Sequence, residues 1–304
     1  AAQIEQMDRG IGKIVEKLKS IGELDNTIIM FAADNGGCAE FLAEDSNQPQ
    51  PSQFNNPGPD GKKVNFGNIP NLRPGPADTF MSYDLPWANL SNTPFRLFKR
   101  WVHEGGISTP FIIHWPEKIL KHNVINTPVQ FADISPTIID ICGSKYPKTF
   151  NGNDITPVEG ESFARLFDGN EFIKDKPLCW EHEGNRAVRI GEWKLVSEYP
   201  GPWELYNIND DRSETNNLIN KEKDIADKLE KEYKDWAKRC GILDWPINIP
   251  DQNTRKIIPV GSKKRKSIGL EAVLTPFDLD KERRFERKPP SKDTATVRGM
   301  RYSK

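Results

Sequence analysis

"NTIIMFAADNGG", residues 26–37, carries the reading of this chain. Ile28, Ile29 and Met30 open an apolar run that Phe31, Ala32 and Ala33 continue, and its length and content read as a buried strand. A buried strand ordinarily leaves the core through a plain turn. This one ends on Asp34 and Asn35, an acid beside an amide, followed by Gly36 and Gly37. Successive strand residues point to opposite faces, so two neighbours share a target only where the pleat breaks. The glycine pair supplies that freedom. Ligands of an open α/β sheet gather at the carboxyl ends of its strands. Both side chains offer oxygen, and neither offers sulfur or an imidazole nitrogen. That donor set suits a hard cation, Ca²⁺ or Mg²⁺, rather than zinc. The alternative is an Asn-Gly turn with Asp34 capping the next segment, and four residues alone do not separate the two.

Working outward, Ile4, Met7, Ile11, Ile14, Val15 and Leu18 recur at helical spacing, with Gly22 placed as a C-terminal cap. The chain opens on Ala with no charged-then-apolar leader pattern, so it is expected to be the later part of a longer protein, with any targeting signal upstream. A polar segment rich in Pro, Gly and Asn runs from about 40 to 92 and reads as a functional or disordered loop. "PFIIHW" (110–115) is a second strand closed by Pro116. "DISPTIIDICG" (133–143) is a helix with Ser135 as N-cap, Pro136 in the first turn and Gly143 as C-cap. This alternation predicts an α/β fold, a mostly parallel sheet covered by helices, over residues 1–172. From 173 the texture changes to short alternating runs, "PLCWEHE", "RAVRIG", "EWKLVSE" and "WELYNI", then a helix over about 221–239. A small antiparallel-sheet-plus-helix subdomain is expected over 173–245. Residues 246–304 read as a basic extension: 15 Lys and Arg stand against 7 Asp and Glu over 251–304, with "KKRK" at 263–266. A solvated tail is preferred there over a polyanion-binding patch.

Bulk composition is neutral, 43 Lys and Arg against 44 Asp and Glu, which predicts neither a nucleic-acid nor a membrane-surface partner. No apolar run approaches the roughly 20 residues of a membrane-spanning helix. Cys38, Cys142, Cys179 and Cys240 are scattered without a CxxC pair, against a zinc knuckle or a dense disulfide scaffold.

A second stretch adds charge to the strand tip. "SNTPFRLFKRWVHEGGISTPFIIHWP" (91–116) packs Arg96, Lys99, Arg100, His103 and Glu104 ahead of a Gly-Gly pair and the second strand. Basic groups beside a metal imply an anionic ligand, and lysine offers a compact point charge for one oxygen of a tetrahedral anion. Read plainly, "RLFKRW" is one turn of surface helix with solvated cations, and His103 is a packing histidine. That plain reading is preferred for His103 and Arg100.

Taken together, five ordered blocks resemble the sulfatase family, in particular arylsulfatases of the alkaline-phosphatase-like fold. They are "MDRGIGKIVEKLKSIGELDNTIIMFAADNGG", "SNTPFRLFKRWVHEGGISTPFIIHWP", "VQFADISPTIIDICG", "EHEGNRAVRIGEWKLV" and "ELYNINDDRSETNNL". The resemblance implies sulfate ester hydrolysis with one Ca²⁺, of which Asp34 and Asn35 would be two ligands. Lys99 would contact the sulfate. His182, Asn185 and Arg186 are candidate substrate contacts from a subdomain that closes over the cleft, or else ordinary polar groups at a strand edge. Trp87, Asn89 and Asn92 are candidates to line the pocket from the long loop. The family's nucleophile, a formylglycine made from Cys or Ser in a C/S-x-P-x-R motif, is absent from this sequence, as are two further Asp ligands and a Lys and His around the ester. The chain is therefore expected to hold half of the metal site and, alone, to be inactive. The alternatives are a phosphomonoester or phosphonate hydrolase of the same superfold, or a truncated chain that binds calcium or an anion. A sulfated small molecule or carbohydrate is the expected substrate, and the resemblance implies a periplasmic or secreted location.

Overall fold

A computed structural model describes residues 2–40, 42, 57–58, 61–174 and 176–247. The expected basic extension, apart from its first two residues, lies outside them, as does most of 43–60. Helix α1 (Ala2–Ser20) forms where the apolar spacing predicts it, and the chain turns at Gly22 with φ +77°. Strand β1 (Ile29–Ala32) is the apolar core of the opening stretch. The polar segment after it is not structureless. It contains β2 (Asn65–Phe66) and β3 (Thr79–Phe80), paired in parallel, then helix α2 (Asp84–Asn92). A one-turn helix α3 (Glu104–Ile107) leads into β4 (Phe111–His114).

β1 and β4 pair antiparallel, Ile29 opposite His114 and Ala32 opposite Phe111. The expected mostly parallel sheet is thus not the pairing seen among the described residues, where only the two-residue β2–β3 ladder is parallel. Two apolar runs do not encode their relative sense. A parallel pair needs a crossover returning the chain to the same end of the sheet, whereas the long β1–β4 connection enters β4 from the end at which β1 finishes. Along β4, Phe111 and Ile113 pack inward while Ile112 is 58% exposed. The inward face is closed by Phe163, Phe167 and Phe172. Phe111 meets Phe163, Phe163 meets Phe167 and Trp115 meets Phe167 edge to face, with centroids 5.9–6.0 Å apart.

Helix α4 (Ile134–Ile141) begins before Ser135, because a 3-10 turn over Phe131–Asp133 runs directly into it. The boundary residue is Asp133, whose carboxylate accepts the N–H groups of Gln130 and Glu161, both at 2.8 Å, and pairs with Lys174. Gly143 closes the helix at φ +61°. A small hairpin, β5 (Thr149–Phe150) and β6 (Asn153–Asp154), follows.

The alternating runs form one antiparallel meander, β7 (Leu178–His182), β8 (Asn185–Ile190), β9 (Trp193–Ser197) and β10 (Glu204–Asn207), in the order β10-β9-β8-β7. Its period of two gives each face a different task. One face sends Val188, Leu195 and Leu205 against Ala226, Leu229 and Tyr233 of helix α5 (Lys223–Cys240). α5 ends at Gly241, φ +69°, the left-handed cap that glycine adopts freely. The other face carries Ala187, Val196 and Tyr206 toward Val102 and Ile107. The small sheet is therefore packed directly on the segment that contains Lys99. The result is a mixed arrangement of sheet and helix. No described helix is long and apolar enough to cross a membrane.

Candidate functional site

At the tip of β1 the chain locks into the segment 92–106 through backbone contacts. Gly36 N–H donates to Gly106 O at 2.9 Å, and Lys99 N–H donates to Gly37 O at 3.0 Å. The approach is close enough that a Cβ on Gly36 would sit 1.7 Å from Gly105 O. A Cβ on Gly105 would meet Leu97 O at 2.1 Å, and one on Gly106 would meet Trp101 O at 1.9 Å. Two glycine pairs thus lie backbone against backbone, a use of glycine that needs no unusual φ. The Ala33 carbonyl is held by the Thr109 hydroxyl at 2.9 Å.

Asn92, at the end of α2, ties the junction together. Its Oδ1 accepts Gly37 N–H at 2.9 Å, and its Nδ2 donates to Leu97 O at 2.9 Å and to Gly105 O at 2.8 Å. Only 8% exposed, Asn92 bridges strand tip, loop and turn rather than facing an open pocket. Trp87, on the same helix, is 58% exposed, and Asn89 caps the helix end by accepting Thr93 N–H and Oγ1–H at its carbonyl.

"RLFKRW" is not a turn of helix. Leu97 and Arg100 take φ of +64° and +94°, so the chain reverses on both sides of Lys99 and leaves that side chain exposed. Non-glycine residues occupy this region at a cost, which the surrounding contacts must offset. Arg100 pairs with Glu183 in the β7–β8 turn. His103 is fully buried, with Nε2 3.5 Å from Glu204 Oε2 and Nδ1 without a partner. Glu204 also accepts Arg96 at 2.8 Å and the Tyr206 hydroxyl at 2.7 Å. The His103 contact, then Arg96 and Tyr206, hold the Glu204 carboxyl down to about 2 against the opposing effect of burial. Burial, followed by the hydrogen bond to Glu204 and then its charge, pushes the Tyr206 hydroxyl up.

The candidate substrate residues of the β7–β8 hairpin do not share one direction. His182 and Asn185 are paired across the hairpin. Asn185 is buried and its amide is engaged. Nδ2 donates to His182 O at 3.0 Å and Arg100 O at 3.4 Å, while Oδ1 accepts Tyr199 N–H at 3.0 Å. Arg186, one residue on, lies on the α5 face with its guanidinium 4.3 Å from the centre of the Trp203 ring. His182 is exposed at the hairpin end.

Asp34 is exposed and Asn35 half-buried at the strand tip. Asn35 Nδ2 donates to Gly36 O at 2.8 Å, leaving Oδ1 as its electron-pair donor. No donor among the described residues bonds the Asp34 carboxylate. Two such oxygens fit part of a hard-cation site. Among the described residues there is no cluster of three His, Cys, Asp or Glu side chains that could hold a metal by itself. Burial, the largest influence on the adjacent Cys38, pushes its thiol up, so it lacks the character of an activated nucleophile.

Three residues that the sequence reading did not single out as a unit sit behind this junction. Lys194 of β9, fully buried, places Nζ 2.9 Å from Glu104 Oε1 and 2.9 Å from Glu214 Oε1. Glu214 Oε2 accepts Glu104 N–H at 2.8 Å, and Arg212 approaches Glu104 Oε2 at 3.7 Å. Burial acts to raise the Glu104 carboxyl, but Lys194 and the nearby Arg189 and Arg212 outweigh it and hold the carboxyl below the usual range. The only local hint was a lysine flanked by Trp193, Leu195 and Val196 in a largely apolar strand.

Comparison with known proteins agrees with the blocks read above. The sulfatase family model matches residues 1–144, and the model for the C-terminal part of N-sulphoglucosamine sulphohydrolase matches 95–239. An uncharacterised sulfatase of Schizosaccharomyces pombe is 31% identical over 263 residues, 83% of this chain and 45% of the relative. An N-acetylglucosamine-6-O-sulfatase of Bacteroides thetaiotaomicron is 25% identical over 77% of this chain and 35% of its own. Among solved structures, Ps i-CgsB in complex with k-i-k-neocarrahexaose aligns with a TM-score of 0.52 and 25% identity, over 76% of this chain and 40% of that one. The chain spans less than half the length of these relatives. With the two family models together spanning residues 1–239, the chain belongs to the sulfatase family.

Proposed function

We propose that this chain supplies one side of a calcium-dependent sulfatase active site. In this reading Asp34 and Asn35 are two oxygen ligands of one Ca²⁺, and Lys99 is the fixed cation for the sulfuryl oxygens. The observation that carries the reading is the interlock of the β1 tip with the Lys99 loop. It brings an oxygen-donor pair and an exposed lysine to one junction through the 3.0 Å bond between Lys99 N–H and Gly37 O. Hydrolysis of a sulfate ester needs an oxygen nucleophile aimed at sulfur, neutralisation of the sulfuryl charge and a proton for the leaving alcohol. When bound, Ca²⁺ supplies Lewis acidity and a template for the sulfuryl oxygens. Lys99 adds a preorganised positive charge where negative charge develops, an effect often worth ~3 kcal/mol in comparable sites. Asn92 and the two glycine pairs hold the Lys99 backbone beside the strand tip. In this reading the nucleophile, a formylglycine, and the remaining metal ligands would be supplied by residues other than those of 1–304. We assign the substrate to sulfated carbohydrates, because relatives include an N-acetylglucosamine-6-O-sulfatase and a structural neighbour crystallised with an oligosaccharide. An exported location accompanies this assignment.

The test uses the full-length protein. Asp34→Ala is expected to lose calcium affinity by titration calorimetry and nearly all sulfate release. Lys99→Ala is expected to lower release at least tenfold with calcium still bound. Wild-type turnover in Asp34→Ala would reduce the strand tip to a turn, and unchanged kinetics in Lys99→Ala would remove that lysine from the site.

A further inference from the structure

We infer that the buried Glu104–Lys194–Glu214 triad is a positioning device through which the C-terminal sheet holds the Gly105–Gly106 turn against the tip of β1. The functional link rests on the sulfatase reading; the mechanical claim does not. Lys194 is 0%, Glu214 1% and Glu104 3% exposed, so three charged side chains are removed from water at one point. A buried ion cluster is weak evidence for stability, since apolar residues of similar volume often serve as well. Direction is what an apolar substitute could not provide. The Glu214 carboxylate lies against Lys194 as an ion pair through Oε1, without hydrogen-bond alignment, and with Oε2 accepts Glu104 N–H, the amide that opens the turn. Lys194 in turn holds the Glu104 side chain. The turn is therefore gripped both by its backbone and by its first side chain.

From there the chain of contacts is short. Gly105 N–H donates to Arg96 O at 2.8 Å, Gly106 O receives Gly36 N–H, and Gly37 O receives Lys99 N–H. Glu214 itself sits at φ +56°, a conformation that non-glycine residues resist, so its backbone is held in place to aim the carboxylate. None of the three residues is assigned to metal or substrate. They act through Gly36 and Lys99.

Amide hydrogen exchange on the full chain, read by mass spectrometry at fragments resolving Gly36 and Lys99, tests this in Glu214→Ala and Glu214→Gln. Glutamine keeps an acceptor for Glu104 N–H and loses the charge. In Glu214→Ala the Gly36 and Lys99 amides are expected to exchange at least tenfold faster than in the wild type, with α5 amides within twofold, and Glu214→Gln should recover most of the protection. Junction amides that exchange as in the wild type overturn the proposal. So does an equal acceleration in α5, which would make the triad a general stabiliser. If Glu214→Ala does not fold, Glu104→Ala decides instead: it removes the side-chain grip and leaves the Lys194–Glu214 pair, and junction amides that do not accelerate more than those of α5 overturn the proposal. Sulfate release by wild-type full-length protein is scored separately: its absence refutes the sulfatase reading and leaves the exchange result to judge the triad.

Discussion

Gly36→Ala is the sharpest perturbation of the junction, because what the new methyl would meet is backbone. Its Cβ would stand 1.7 Å from Gly105 O and 2.8 Å from Gly105 C, whereas real Cβ atoms essentially never approach within 3.0 Å. No rotamer relieves this; the turn must retreat. Retreat breaks the Gly36–Gly106 and Lys99–Gly37 backbone bonds and strains the Asn92 bridge to Gly37 and Gly105. At ~1 kcal/mol net per bond, two to four losses amount to ~3 kcal/mol, or a fall of about 6–12 °C in melting temperature for a chain of this size. Gly37→Ala provides a graded comparison. Its nearest neighbour is the rotatable Ser91 hydroxyl at 2.6 Å, so it should cost less. Gly12→Ala in α1 meets nothing within 4 Å and should be neutral or slightly stabilising. Scanning calorimetry of the three variants in parallel gives the order. A Gly36→Ala protein that melts within 1 °C of the wild type would show that strand tip and turn do not touch as described.

Two further outcomes follow from the same junction. The Glu204 carboxyl is held below its unfolded value, so its contribution is present above the ordinary carboxylate range of ~4.3 and is lost as pH falls toward its folded value of about 2. The full shift corresponds to at most ~3 kcal/mol, and screening at a half-open site reduces that to ~1–2 kcal/mol. Urea titrations of wild type and Glu204→Gln should converge by this amount between pH 5 and pH 2.5, and parallel curves would remove the Arg96–Tyr206–His103 arrangement as the cause. Asn92→Ala strands three backbone groups, one of them fully buried, and should cost ~2–4 kcal/mol of unfolding free energy in a denaturant titration, with Asn92→Asp no better because a carboxylate would face the Leu97 and Gly105 carbonyls; a loss under 1 kcal/mol would mean that water takes over the bridge.

The helices were legible because their signals are local. Ile225, Leu229, Tyr233 and Trp236 recur at helical spacing along α5, and Gly22, Gly143 and Gly241 mark ends with positive φ. The antiparallel meander was legible for the same reason, in its alternating runs. The sense of the β1–β4 pair was not, since Ile29–Ala32 and Phe111–His114 are equally apolar whichever way they run. Within the site, Asp34, Asn35 and Lys99 stood out by type and by family resemblance, whereas what joins them is backbone, and backbone carries no residue signature. Asn185 and Arg186 are neighbours in sequence but not in direction, because the period of two sends Arg186 to the α5 face. Lys194 announced a buried charge without naming its partners, which lie 90 residues before it and in the turn after β10.

Those separations bear on how the molecule assembles. Glu104 meets Lys194 across 90 residues and Glu214 across 110, and Arg96 meets Glu204 across 108. Closing such spans is entropically slow compared with winding a helix. At a synthesis rate of ~5–20 residues per second, the loop bearing Lys99 emerges several seconds before its counter-charges. The order of the chain therefore makes the Lys99 loop among the last parts to take shape, and makes a finished β9–β10 sheet its precondition.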